Sequence, residues 1–174
     1  MCGIVGFVND KDNKKKIINT MMDRIVHRGP NSSGEYIDKH VALGFRRLSI
    51  IDLEGGTQPI YNEDRTKIII FNGEIYNYQP LREELIAAGH VFQTHADTEV
   101  LLHGYEEWGT ELLQKIRGMF AFAIWDNEKN ELFGARDHFG IKPYYYAEMN
   151  GTFMFGSEIK SFLPHPDFNK ELNK

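Results

Sequence analysis

Apolar residues fall along this chain in two patterns: short unbroken runs near both ends and in the middle, and stretches between them where they return every three or four positions. Gly3 to Val8 is an apolar run that suits a buried strand. Ile17, Ile18, Met21, Met22, Ile25 and Val26 repeat at helical spacing, which predicts a helix with one buried face that stops at His27-Arg28-Gly29-Pro30. Strand-like pieces follow at His40 to Phe45 and Leu48 to Ile51, closed by a Glu54-Gly55-Gly56 turn. Lys67 to Phe71 is a continuous β-branched and aromatic run, the composition of a strand covered on both faces. Pro80 opens a helix through Ala88, with Gly89 as its C-terminal cap. His90 to Thr94 reads as a short strand, and Asp97-Thr98-Glu99 begins a helix carrying Val100, Leu101, Tyr105 and Trp108, its acidic residues suiting the positive end of the helix dipole. Leu112, Leu113 and Ile116 continue that pattern. The remainder predicts antiparallel sheet: Met119 to Trp125, a turn at Asn127 to Asn130, Glu131 to Ala135, Pro143 to Ala147, then an Asn150-Gly151 hairpin turn before Thr152 to Phe155. Strands at both ends with helices between them favour an α+β layered fold over a parallel βαβ one.

Composition narrows the function classes. The 174 residues carry 20 Lys and Arg against 25 Asp and Glu, a formal charge of −5, and the only block of like charge is Lys14-Lys15-Lys16, which reads as a solvated first helical turn. There is no electrostatic footprint for nucleic acid or an anionic membrane surface. No apolar run approaches the roughly 18 to 20 residues of a membrane span, and a cytoplasmic location is expected. A single cysteine excludes an intramolecular disulfide, and the seven histidines show no close Cys/His pairing of the zinc type, so no structural metal is expected. The polar stretch from Pro164 to Lys174 reads as the entry to a linker, which gives one domain over 1–163 and the start of a linker over 164–174.

The lone cysteine stands directly behind the initiator methionine. If Met1 is removed, Cys2 carries its own α-amine, which titrates near about 7.7 to 8.0 while a free thiol titrates near about 8.5, so one residue supplies both nucleophile and base. A small buried cysteine at the start of a strand is the bland alternative. Three further segments place polar or glycine residues at the ends of apolar runs, where loops carry chemistry. In Arg46-Arg47-Leu48-Ser49, strand alternation sends the two arginines to opposite faces, so only one can aim its guanidinium at a carboxylate in a given pocket. In Asn72-Gly73-Glu74, Asn72 offers an amide donor and Gly73 an unshielded backbone N–H, the pair of neutral donors that a developing oxyanion requires, although Asn-Gly is equally a hairpin signal. Asp97 is either a helix cap or a carboxylate facing a ligand ammonium.

The opening Met-Cys-Gly-Ile-Val-Gly, His27-Arg28-Gly29-Pro30, Arg47-Leu48-Ser49-Ile50-Ile51-Asp52, Asn72-Gly73-Glu74-Ile75-Tyr76-Asn77 and Asp97-Thr98-Glu99-Val100 resemble, in order, the glutaminase domain of class II glutamine amidotransferases. So do Gly118 to Ala123, Arg136-Asp137 with Gly140 to Pro143, and Ser157 to Lys160. Within that class the Arg-Leu-Ser-Ile and Asn-Gly-Glu-Ile-Tyr-Asn forms resemble glutamine-hydrolysing asparagine synthetases.

The resemblance implies a four-layer αββα sandwich of two antiparallel sheets, of the N-terminal-nucleophile type. It implies Cys2 as nucleophile with its freed amine as base, Asn72 and the Gly73 amide as oxyanion hole, Arg47 on the α-carboxylate of L-glutamine, and Glu74 and Asp97 on its α-ammonium. Backbone groups near Ile50 to Leu53 add substrate contacts, and Arg46 is left as a structural or surface residue. No cofactor is implied for this domain. The partner half activates aspartate with ATP and magnesium through a Ser-Gly-Gly-x-Asp-Ser loop that this sequence lacks, so a C-terminal synthetase domain of the same polypeptide is the implied partner, with a homodimer left open for the full-length enzyme. Two other readings stay open: a glutaminase serving a different ammonia acceptor, and a non-catalytic glutamine-binding module.

Overall fold

The chain divides into two units, Met1–Leu48 with Pro143–Lys174, and Ser49–Lys142; the computed structural model describes residues 2–48 and 57–171. In the first unit, β1 (Gly3–Val8), β2 (Ser32–Ile37), β3 (Val41–Arg47), β8 (Tyr145–Met149) and β9 (Thr152–Gly156) form an antiparallel sheet in the order β2-β3-β1-β9-β8. Helix α1 (Lys14–Asp23) buries Ile18, Met21 and Met22, joined by Ile25, against Val5, Phe7, Ala42 and Met154. The predicted helical repeat is split, because the helix ends at Asp23 and a separate 3-10 turn covers Val26–Arg28. Lys14 is buried rather than solvated, and its ammonium donates to the Lys11 carbonyl. The Asn150-Gly151 turn has both residues in the left-handed region (φ 53° and 75°), as a tight hairpin requires.

The stretch whose polarity suggests a linker is packed through Phe168. His165 is buried edge-on to Phe7 with ring centroids 4.6 Å apart, Asp167 accepts from Thr152 Oγ1 (2.5 Å) and Lys11 Nζ (2.7 Å), and Phe168 meets Phe162. Polar residues tie this segment down because their partners lie far away in sequence.

In the second unit, β4 (Ile60–Tyr61), β5 (Lys67–Ile75), β6 (Gly118–Asp126) and β7 (Glu131–Arg136) form an antiparallel sheet in that order. Helices α2 (Tyr78–Ala87) and α3 (Asp97–Trp108) cover one face: Leu81, Leu85, Val100, Leu101 and Tyr105 pack with Ile69, Phe71, Ile75, Phe120 and Phe122. A short α4 (Leu112–Lys115) follows a 3-10 turn. Ile68 and Ile70, pointing the other way, are also fully buried, so β5 is covered on both faces as its composition predicts. Each unit joins an antiparallel sheet to helix on one face, which makes the chain α+β and supplies the two sheet layers and two helical layers of the αββα expectation.

Two local expectations give way. Gln93 and Thr94 donate their amides to the Glu99 carboxylate and Val91 donates to Glu63, so side chains take the groups that a strand at His90 to Thr94 would need for a ladder. Asn72-Gly73 is not a turn, because β5 runs straight through it, with Asn72 opposite Ala121 and Gly73 opposite Phe120. β2 and β4 have no counterpart in the sequence pattern. Leu48 lies past the end of β3, while residues 49–51 of the strand expected there, the turn at 54–56 and the backbone at 50–53 lie outside the described residues.

Candidate active site

The first unit fixes the backbone around Cys2 from three directions. Gly3 is paired with Arg46, so extending the register by one residue sets Cys2 opposite Arg47 on one face of the sheet. Arg28 Nε donates to the Cys2 carbonyl at 3.0 Å, and its Nη1 lies 3.3 Å from Glu158 Oε1, which His27 Nε2 also meets at 2.7 Å. Ile4 is held at both ends by Ser157: its N–H donates to Ser157 Oγ at 3.0 Å and its C=O accepts from Ser157 N at 2.9 Å. The thiol itself is half-buried, with the Leu48 N–H pointing at Sγ from 3.5 Å.

Strand alternation resolves the two arginines. Arg46 faces α1, donating to the Met22 carbonyl and pairing with Asp23 at 2.8 Å, whereas Arg47 lies on the opposite face of β3 with Cys2. Gly29 closes the 3-10 turn, its N–H donating to the Val26 carbonyl at 3.0 Å, but its φ of −147° suits any residue; glycine is demanded because a Cβ there would stand 2.3 Å from the Arg46 carbonyl carbon.

In the second unit, β5 carries a buried side-chain donor that no described residue takes up. Asn72 is buried, and its Nδ2 has no hydrogen-bond partner among the described residues. Amides of alternate residues leave a strand on opposite edges. Tyr76 N reaches the Arg117 carbonyl on the β6 side, whereas Phe71 N meets Gln58 Oε1 (2.6 Å) and Ile75 N meets Asp97 Oδ2 (2.8 Å) on the outer edge. Gly73 N–H belongs to that outer edge, between the two side-chain acceptors. Phe120, opposite Gly73, confirms the parity by turning both its N–H and its C=O to Asp137. A Cβ on Gly73 would sit 2.3 Å from the Met119 carbonyl oxygen, so strand packing alone already demands glycine here.

Asp97 is the first residue of α3 rather than its N-cap, which is Ala96 and makes no side-chain cap bond. Its carboxylate serves β5 instead. Burial pushes its pKa above the ordinary carboxylate value, the charge of exposed Glu74 adds to the rise, and the Ile75 N–H opposes it. A cation arriving at Asp97 and Glu74 would relieve both costs. The structure thus brings Cys2 and Arg47 together on one sheet face, and Glu74 and Asp97 together beside the outer edge of β5.

Arg28, Ser157, Glu158 and Gln58 hold this machinery in place and were not singled out from sequence for any role. The His-Arg-Gly-Pro and Ser-Glu-Ile-Lys motifs contain three of them, but only the long-range pairing shows what they do. Asp137, also in a recognised motif, accepts four backbone amides from Phe120, Phe139, Ile141 and Lys142; these bonds outweigh desolvation and hold its pKa below the ordinary value.

A family model for the glutamine amidotransferase domain matches residues 1–174. The chain is 53% identical over 168 residues to asparagine synthetase [glutamine-hydrolyzing] 1 of Bacillus subtilis, covering 94% of this chain and 27% of that protein. It is 41% identical to asparagine synthetase B [glutamine-hydrolyzing] of Escherichia coli, over 94% of this chain and 30% of that protein. It therefore spans less than a third of the length of these relatives. Among solved structures, a glutamine phosphoribosylpyrophosphate amidotransferase from B. subtilis complexed with ADP and GMP superposes with a TM-score of 0.76 at 22% identity, over 92% of this chain and 43% of that one. An allosteric regulatory enzyme of purine biosynthesis gives 0.78 at 21%, over 94% and 43%. The shared fold and the match along residues 1–174 lead to one conclusion: the chain belongs to the glutamine amidotransferase domain family.

Proposed function

We propose that this chain is the glutaminase part of a glutamine-dependent asparagine synthetase, hydrolysing L-glutamine to L-glutamate and ammonia through a thioester on Cys2. The observation that carries the reading is the buried Asn72 amide without a partner among the described residues, followed directly by the outward Gly73 N–H. A fold rarely leaves such a donor unused unless a ligand takes it. Family membership and the names of the relatives support the substrate.

With Met1 removed, the Cys2 amine takes the thiol proton, and the sulfur attacks the glutamine side-chain carbonyl carbon. Asn72 Nδ2 and Gly73 N–H donate to the oxyanion, which collapses as ammonia leaves with a proton returned by the amine. Water then adds to the γ-glutamyl thioester, the amine again taking a proton, and glutamate departs as the thiol re-forms. Arg47 holds the α-carboxylate through its planar fork, and Glu74 with Asp97 holds the α-ammonium. Ammonia is destined for aspartate in a further domain of the same polypeptide, in the cytoplasm, where ATP and magnesium supply the activation. Arg28 acts as a positioning residue, because it grips the carbonyl of the nucleophile's own residue.

The test is rapid-quench mass spectrometry on the purified chain, first checked for loss of Met1, after mixing with L-glutamine. A γ-glutamyl adduct on Cys2, together with glutamate and ammonia release, is expected. Undiminished turnover in a Cys2→Ala chain overturns the assignment, and tight glutamine binding with no glutamate formed would identify a binding module instead.

A further inference from the structure

Within the second unit, α3 gathers a set of polar side chains that the proposed hydrolysis does not use. His103 and Glu106 lie one turn apart on α3, Glu63 comes from the turn between β4 and β5, and His90 from the connection between α2 and α3. One ligand-capable atom of each lies within 4.8 Å of all the others. Nδ1 of both histidines faces a single oxygen, Glu106 Oε2, at 2.8 Å from His103 and 3.8 Å from His90, and His103 Nδ1 lies 3.7 Å from Glu63 Oε2.

Three of the outward atoms of the same four groups are engaged elsewhere, while His103 Nε2 has no hydrogen-bond partner among the described residues. Glu63 Oε1 accepts from Val91 N at 3.0 Å, and Glu106 Oε1 accepts from Asn62 Nδ2 at 2.6 Å. His90 Nε2 faces Glu107 Oε2 at 3.3 Å, and His103 Nε2 faces Glu99 Oε1 at 3.7 Å. Glu99 is itself fixed by the amides of Gln93 and Thr94. The Glu107 carboxylate behind His90 draws that ring's N–H to Nε2 and leaves its Nδ1 lone pair on the inner side, the orientation found at metal-ligating histidines, whereas His103 makes its short contact through Nδ1 to Glu106 and would present that nitrogen to an ion by giving up the shared proton.

We propose that Glu63, His90, His103 and Glu106 form a structural binding site for a divalent transition-metal ion of the zinc type. Two imidazoles and two carboxylates are a four-coordinate nitrogen and oxygen set, and the two negative charges balance the cation. Calcium or magnesium would demand more oxygens. The observed separations of 2.8 and 3.8 Å bracket the roughly 3.3 Å between ligands that bonds of about 2.0 to 2.1 Å in a tetrahedron produce. Such an ion ties the β4–β5 turn and the α2–α3 connection to α3. The sequence gives no warning of it, because His90 and His103 have no metal-motif spacing and Glu63 is distant.

The test is direct binding to the tag-free chain in a Cys2→Ala background, which removes the thiol as a competing ligand. Calorimetry with zinc chloride should show a single equivalent bound, and cobalt(II) chloride should give the visible bands of a tetrahedral nitrogen and oxygen site. Zinc at a hundredfold excess over its Kd should raise Tm by about 5 to 10 °C. His90→Ala, at a position that tolerates change better than buried His103, should weaken zinc by about 100-fold, and Glu107→Gln, which removes only the carboxylate behind His90, by about 10-fold. Glu131→Gln, exposed on β7, should leave zinc affinity unchanged. Equal zinc affinity in the parent and His90→Ala, or zinc binding without a rise in Tm, overturns the site and identifies the cluster as a proton-bridged histidine–carboxylate network.

Discussion

The two units treat the polar groups around their candidate residues in opposite ways. Around Cys2 the neighbouring backbone is gripped: Arg28 on its carbonyl, Ser157 on both ends of Ile4, Arg46 paired with Gly3. Along β5 the flanking amides of Phe71 and Ile75 are satisfied by Gln58 and Asp97, yet Asn72 Nδ2 between them is buried without a partner among the described residues. An unpaired buried donor costs about 1 to 3 kcal/mol. A nucleophile must be held still, whereas donors for a short-lived charge must be kept from permanent partners; a fold that satisfied Asn72 internally would gain stability and lose the donor.

Measurements on single-residue variants and on the parent break or sharpen that contrast. Cys2→Ala should lower glutamate release by at least about 10⁴-fold while calorimetry still detects glutamine, because only the sulfur is removed. Asn72→Ala should lower kcat by about 10² to 10³-fold with KM nearly unchanged. Urea unfolding should show little loss of stability in this variant, since no internal hydrogen bond is broken; a large loss with normal kcat would make Asn72 a structural residue.

Arg28→Ala should reduce kcat by about 10²-fold through misplacement of Cys2, with KM unaffected, and Arg28→Lys should not restore it because the ammonium lacks the second, forked contact to Glu158. Asp97→Asn, which keeps an acceptor for the Ile75 N–H, should raise the KM for glutamine by about 10- to 100-fold at constant kcat. In the parent, KM should climb as pH falls through the raised pKa of Asp97, because only ionised Asp97 holds an ammonium.

The smallest effect concerns acid stability. Burial alone would raise the pKa of Glu99, but bonds from His103, Thr94 and Gln93 outweigh it and hold it at about 2, against an ordinary 4.5, and Asp137 is lowered as well. A lowered carboxylate contributes stability above its unfolded pKa and loses it as pH falls toward the folded value. Urea midpoints should therefore decline from about pH 4.5 downward, and Asp137→Asn should flatten part of that slope.

Much of the molecule was legible in the residues. The split between period-two and helical spacing located β1, the first part of β5, α2, α3 and the β8–β9 hairpin, and strand alternation required Arg46 and Arg47 to diverge before any contact was known. His90 to Thr94 misled because its β-favouring composition says nothing of the Glu99 carboxylate that takes its amides. Asn72-Gly73 was ambiguous for a similar reason: a local dipeptide preference for turns yields when nine residues of β5 pair along β6.

What the sequence determined by itself is the α+β class, the single nucleophile candidate and the short motifs that carry chemistry, since all three are set by residue type and near-neighbour spacing. What only the tertiary structure decided is which of those groups are spent on the fold. That depends on pairings such as Phe120 with Asp137, Ile75 with Asp97 and Cys2 with Arg28, and on the meeting of Glu63, His90, His103 and Glu106. Hydrogen bonds and charges act over a few ångströms in space, and separation along the chain does not report that distance.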